Sequence, residues 1–246
     1  ARLADTLDAA TWSDARDDDY ARMNERDFWS QPNRFEVLDR IERRHRIESA
    51  FDTARRLDER LARDGTEAGF VARHAQLLWL SELAVDAVSQ QRPQDALLWL
   101  TVSESDLKRD PAQARLWWQR LLAMYMAWAE RRNMRVETLE QDATMCRARL
   151  AIGGFGALAL LEAEHGLHAF EYDTTDGGTA RIVASVRVAA DLPGRARVSR
   201  ATVDVGHVED ELRICRRYRS APSPLVRDSV RGWRSGRYDR VLAGEF

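Results

Sequence analysis

The side chains best equipped for chemistry lie near the C-terminal end. Arg213, Arg216, Arg217, Arg219, Arg227, Arg231, Arg234, Arg237 and Arg240 follow one another there, with Tyr218, Trp233 and Tyr238 interleaved. A guanidinium group is a planar fork of donors that matches phosphate oxygens, and an aromatic ring offers a face on which a base stacks. This pattern predicts an RNA-backbone surface contacted by Arg216, Arg217, Tyr218, Arg219, Arg227, Arg231, Trp233, Arg234 and Arg237. The competing reading is a charged tail that is simply solvated. Lys108 is the only lysine in the chain. A GC-rich genome explains that bias as readily as phosphate recognition does, and composition does not separate the two.

Other chemistries find little footing. The five histidines are scattered, with no Cys/His spacing suited to a metal, and no cofactor is implied. Glu162, Glu164 and His165 cluster on one short segment, where a solvated helix end is the simpler account. His74 falls on an apolar helical stripe and reads as a core histidine. Gly177-Gly178 precedes a strand-like run, so it reads as a turn; a phosphate cradle would need a helix after it. Cys146 and Cys215, far apart in sequence, suggest reduced thiols and no disulfide framework.

The chain has 246 residues, 32% of them charged, and a net charge of −2, so no global excess of positive charge points to nucleic acid. No apolar run reaches membrane-spanning length and no signal-peptide pattern opens the chain. The expectation is a soluble cytoplasmic protein without a membrane partner.

The elements that must position these residues follow from periodicity. Residues 1–34 are polar and acidic and predict one or two short helices anchored by Trp12, Phe28 and Trp29. From Phe35 to about Ala62, Ile47, Phe51, Ala54, Leu57 and Leu61 form a narrow helical stripe. Asp64-Gly65 ends it, and a second helix carries Phe70, Leu77, Leu78, Ala84 and Val88 on one face from about Thr66. Gln90–Gln94, with Pro93, reads as a hinge, which gives a helical domain over 1–92 and a second domain over 93–246. In that second domain Ala96–Val102 reads as a buried strand. A long helix follows, begun by Asp110-Pro111, with Trp117, Leu121, Met124 and Trp128 on its buried face. Strands are expected after Met134, over 145–152, over Thr179–Val188 and over Arg197–Val205, with a second helix over Phe155–His168. The fold class is therefore α+β: a helical hairpin domain, then a sandwich with two helices on one face of a mixed sheet.

Three separated stretches resemble the bacterial class-one peptide chain release factors, closest to the release factor two branch. The first is Met124-Tyr125 with Trp128-Ala129-Glu130 and Glu137. The second is Leu161, Glu164, Gly166 and His168, followed by Ala169 where the family has arginine. The third is Val226-Arg227-Asp228, Gly232-Trp233, then Asp239, Val241, Leu242 and Gly244. The acidic N-terminal stretch ending in Phe28-Trp29 is similar to the opening of the family's helical domain. The resemblance implies a translation-termination ancestry, with Met124, Tyr125, Trp128, Glu130, Leu161, Glu164, Gly166, His168, Gly177, Gly178, Asp228 and Gly232 as signature positions of structural weight.

The departures bear on activity. The family hydrolyses peptidyl-transfer-RNA with a Gly-Gly-Gln loop, but no glutamine follows Gln141. A catalytic domain of roughly one hundred residues that the family carries before its C-terminal signature has no counterpart here. The Ser-Pro-Phe tripeptide of stop-codon reading is also missing before Gly177-Gly178, and the Gly-rich loop before the long helix is replaced by SESDLKRD. The expected protein is a non-enzymatic release-factor-like binder of the ribosome or of RNA. Its rivals are a subunit that docks a separate hydrolase or other partner through the N-terminal hairpin, and a divergent hydrolase with a new site.

Overall fold

The structure, a computed structural model, describes residues 2–64, 68–90, 92–194, 200 and 212–246. It divides into two units: the chain up to Gln94 with Leu192–Gly194, and Asp95–Asp191 with the following chain to Phe246. In the first unit the helices are α1 (Arg2–Leu7), α2 (Ala10–Met23), α3 (Arg34–Asp64) and α4 (Ala68–Ser89), with a 3-10 turn at Phe28–Ser30. The predicted stripes meet: Ile47 and Ala54 of α3 are buried, as are Leu80, Ser81, Ala84 and Val85 of α4. Asp19 of α2 lies buried against α3, where it accepts hydrogen bonds from Arg40 and Arg44. Burial opposes its ionisation, yet the two guanidinium groups hold its carboxyl below the usual carboxylate range. The turn expected at Gly65 and the helix start at Thr66 lie outside the described residues.

The second unit is a sheet with helices on one face. Its elements are β1 (Asp95–Val102), α5 (Glu104–Arg109), α6 (Pro111–Arg131), β2 (Arg135–Asp142), β3 (Arg147–Gly153), α7 (Ala157–Leu161), β4 (Gly166–Asp173) and β5 (Thr179–Asp191). The C-terminal part adds β6 (Ile214–Arg219), β7 (Leu225–Asp228), β8 (Arg234–Ser235) and α8 (Tyr238–Leu242). Among the described residues the strands run in the order β2-β3-β1-β5-β4-β6-β7-β8. Among these described strands the β4–β6 pairing is parallel and the other neighbours are antiparallel.

Asp110 caps α6 by accepting from the Gln113 N–H at 3.1 Å, and Pro111 occupies the first turn, where its missing N–H is not needed. The helix buries Trp117, Trp118, Leu121, Met124, Tyr125 and Trp128 against the alternate residues of the strands, among them Leu98, Leu100, Leu150 and Ala184. Each such side chain contributes about 1.5–3 kcal/mol of burial. α7 and α8 join the same core through Leu161 and Val241. The chain is α+β, as its periodicity indicates.

Two local expectations are corrected, and one unassigned segment is a helix. Residues 155–168 are not one helix: α7 is a single turn, a 3-10 turn at Glu162–Glu164 follows, and Gly166 opens β4. SESDLKRD, to which the sequence pattern assigns no element, carries α5, whose N-cap Ser103 accepts from the Asp106 N–H at 3.2 Å. The basic C-terminal stretch is not a tail but three strands of the sheet. The strand expected at Arg197–Val205 lies outside the described residues apart from Arg200, which is helical.

Candidate functional site

The residues singled out in sequence sort onto two faces of β6 and β7. Strand side chains alternate, and Arg216, Tyr218, Val226 and Asp228 point inward, toward α6. Arg217 and Arg227 point outward.

The inward set forms a buried ionic centre. Arg216 and Tyr218 are each 0% exposed. Arg216 Nε and Nη2 donate to Asp228 Oδ2 at 3.1 and 2.8 Å, and Nη2 also donates to Glu164 Oε1 at 2.6 Å. Its remaining fork, Nη1, donates to Tyr218 Oη at 3.3 Å. Arg231 reaches in from the surface to Glu164 and donates to the Leu160 carbonyl at 2.7 Å. Asp228 is held in turn by the N–H groups of Val230 and Arg231 at 3.0 and 2.7 Å. Tyr125 Oη donates to the second Glu164 oxygen at 3.1 Å. Two guanidinium groups thus face two carboxylates, and no charge is left over. Burial disfavours the Glu164 carboxylate, but the guanidinium groups of Arg216 and Arg231 outweigh it and keep its pKa below the ordinary value.

His168 completes the network in a fixed tautomer. Its Nε2 lies 3.0 Å from the Glu164 carbonyl, which can only accept, so Nε2 carries the proton. Nδ1, 3.0 Å from Tyr218 Oη, then accepts from the phenol. Burial, opposed by Glu164, lowers the imidazole pKa to about 4, so His168 is neutral at physiological pH. Trp117 Nε1 donates to the His168 carbonyl at 3.2 Å. The Arg216 guanidinium also lies over the rings of Phe246, at 4.4 Å, and Trp233, at 5.1 Å. Cys215 beside it is inert: burial raises its thiol pKa to about 12, and its Sγ donates to the Ala163 carbonyl at 3.1 Å.

Two glycines make the centre possible. A Cβ on Gly166, whose φ is +149°, would come within 2.7 Å of the Arg213 carbonyl. Gly166 therefore lets β4 start directly against the chain entering β6. A Cβ on Gly244 (φ +83°) would sit 2.4 Å from the Trp128 amide nitrogen, so only glycine lets the last residues lie on the α6 backbone and bring Phe246 to Arg216.

The buried side chains of this centre, Tyr125, Glu164, His168, Arg216, Tyr218 and Asp228, all bond to one another or to the backbone, so the centre holds strands together. That overturns part of the predicted RNA surface. Arg216 and Tyr218 are buried, so neither is available for phosphate or base, while Arg231, though exposed, pairs with Glu164 and the Leu160 carbonyl. Trp233 is half-buried against the core, and Tyr238 is buried with its hydroxyl accepting from Arg120 at 3.2 Å. The stacking faces are turned inward. Arg217, Arg219, Arg227, Arg234 and Arg237 keep outward positions, with Arg219 half-buried.

The signature positions from three distant stretches converge here: Met124 and Tyr125 of α6, Glu164 and His168, and Asp228 of β7. Gly177, with φ +84°, and Gly178 close the β4–β5 hairpin. Gly232 (φ +73°) lies in the β7–β8 connection, and Glu130 is exposed at the end of α6. Leu161 is buried in α7, and Trp128 stacks on Phe246 at 6.1 Å. Among the described residues no group of three or more His, Cys, Asp or Glu is placed to hold a metal ion. No described helix is long and apolar enough to cross a membrane.

Residues 112–171, from the first turn of α6 into β4, match the PCRF domain. No curated protein matches the chain. Among solved structures, RF2 of Thermus thermophilus is similar with a TM-score of 0.46 and 15% identity, over 99% of this chain and 95% of that one. The matched stretch, from α6 to β4, is the one that supplies Tyr125, Glu164 and His168 to the buried centre.

Proposed function

We propose that this protein is a non-hydrolytic factor of the translation-termination kind, related to the release factor two branch, that acts by binding the ribosome or RNA. The observation that carries the reading is the PCRF match over 112–171 in a sequence with no Gly-Gly-Gln. Acyl transfer from transfer RNA needs a water held against the ester and a donor for the oxyanion. The one buried histidine network of the matched region is fully committed to structural partners. Stop-codon discrimination is reduced as well, since Gly177-Gly178 is retained without the tripeptide that precedes it in that branch. On this reading the factor occupies or marks a site and leaves the chemistry to others.

A second reading has support of its own. Trp29, 69% exposed, and Trp79, 47% exposed, are large apolar side chains left on the surface of the helical unit, where either could anchor a protein partner.

Purified protein added to stalled termination complexes is expected to release no peptide at any stop codon and to co-sediment with ribosomes. Codon-dependent release above a no-protein control would overturn the non-hydrolytic reading, and absence from the ribosomal pellet would overturn the ribosome as target.

A further inference from the structure

Residues 212–237 contain eight arginines and one carboxylate, Asp228, in a chain whose net charge is −2. Two of the eight, Arg216 and Arg231, are neutralised by Glu164 and Asp228 in the buried centre. Arg213, Arg217, Arg219, Arg227, Arg234 and Arg237 make no ion pair with any carboxylate among the described residues. Three of these are aligned by the sheet itself. Arg217 lies opposite Arg227 in the β6–β7 register, and Arg227 lies opposite Arg234 in the β7–β8 register. Adjacent strands are about 4.8 Å apart, so the three residues form a line about 10 Å long.

Like charges directly opposite one another destabilise a strand pair. An edge strand is commonly guarded by a charged side chain, but three cations in register exceed that need, and none is relieved by a described carboxylate. Beside Arg217 and Arg219 on this face lie Ala169, itself buried, and the half-buried Glu171 and Leu225, with no aromatic anchor of the kind that centres a protein–protein contact. The strip is cationic, sheet-rigid and without a stacking ring.

We infer that the outward face of β6–β7–β8, through Arg217, Arg227 and Arg234, binds the phosphate backbone of RNA without reading its bases. This deepens the proposed function and rests on it for the identity of the polyanion. It also separates the strip from the buried half of the same strands: Arg216 and Asp228 set the pleat that turns Arg217 and Arg227 outward.

The test compares the full-length protein with the variant Arg217→Gln/Arg227→Gln/Arg234→Gln. A control variant changes exposed arginines of the first unit, Arg55→Gln/Arg56→Gln/Arg73→Gln. Binding to labelled poly-uridine, to an RNA duplex and to poly-glutamate is followed by anisotropy across a salt series, and ribosome co-sedimentation is run in parallel. Each single-strand phosphate contact contributes about 0.7 to the slope of log affinity against log salt, so the strip variant should lose about 2 of that slope. Its affinity for poly-uridine should fall about a hundredfold near 0.1 M salt, while the control keeps the parent slope. Unchanged circular dichroism is expected, because all three side chains are exposed. If the strip variant binds poly-uridine with the parent affinity and slope, the assignment is overturned. Preference of the parent protein for poly-glutamate over both RNAs overturns it in favour of an acidic protein partner, and failure to bind any probe overturns it outright. RNA binding lost in the strip variant, with no parent protein in the ribosomal pellet, would leave the strip standing and remove the ribosome from the proposed function. Ribosome binding that survives the strip variant, with an unchanged RNA slope, would do the reverse.

Discussion

Arg216 and Arg217 are neighbours in sequence with opposite fates, and the difference lies in partners that sequence proximity cannot reveal. A guanidinium taken wholly out of water is tolerated only when each donor is satisfied and its charge is matched. Arg216 meets both conditions with Tyr218 of its own strand and with Glu164 and Asp228, drawn from two other elements. His168 lies in the same enclosure in its neutral form, which makes the network sensitive to acid. Its folded pKa, about 4, is below its ordinary value of 6.5. Between those values the unfolded chain takes up a proton that the folded one refuses, so stability rises with pH there and is lost as pH falls. The loss approaches about 3 kcal/mol once pH is below both values. His168→Gln keeps an amide donor and acceptor but has no proton to gain. Urea unfolding at a series of pH values should find this variant weaker at neutral pH and less dependent on pH from 6.5 down to 4. Glu164 and Asp228, whose pKa values are also lowered, contribute the same acid sensitivity to both proteins at lower pH. Equal pH slopes in the two proteins would show that His168 is not held neutral.

Among the elements, α6 is the most legible because its signal is redundant: a cap, a first-turn proline and a wide apolar stripe agree. The hairpin stripes of α3 and α4 are legible for the same reason. β4 is not, since ALALLEAEHGL places leucines at helical spacing while its decisive feature, Gly166, serves a contact with the chain before β6. β6, β7 and β8 are short and laden with arginine, and their alternation is masked because one inward position is itself an arginine. Four of the nine predicted RNA contacts, Arg216, Tyr218, Arg231 and Trp233, are therefore buried, half-buried or paired: composition registers charge, while exposure depends on Glu164 and Asp228, distant in sequence. The β4–β6 junction gives a prediction at this scale. Gly166→Ala would put a methyl 2.7 Å from the Arg213 carbonyl and 2.9 Å from Cys215 Cβ, where the two strands run in parallel and neither can retreat freely. The substitution should destabilise by about 2–3 kcal/mol, the range of an overpacked and backbone-strained site. Chemical denaturation measures this. A loss below about 0.5 kcal/mol, the size of an ordinary surface substitution, would mean that the strands separate easily and that Gly166 does not hold the junction.

For the whole molecule, the two units differ in charge as well as in architecture. Residues 1–94 hold 15 arginines and 19 carboxylates, a formal −4, so the remainder of a chain of net −2 carries +2. The buried centre, its flanking glycines and the arginine strip all lie within Asp95–Phe246, as does the core that α6 builds on the sheet. The fragment Asp95–Phe246 should therefore unfold in a single cooperative transition when isolated. Long-range attraction to a polyanion depends on the sign of the whole surface, whereas the salt slope counts only the phosphates contacted. Removing an acidic unit that makes no phosphate contact should thus raise RNA affinity at low salt and leave the slope as it is in the full chain. The complementary fragment, residues 1–94, should remain helical and bind no RNA. Anisotropy with poly-uridine over a salt series, alongside thermal melts of both fragments, decides the matter. If the Asp95–Phe246 fragment folds but its slope falls well below that of the full chain, arginines of the helical unit make phosphate contacts too, and the strip on β6–β7–β8 is only part of the surface.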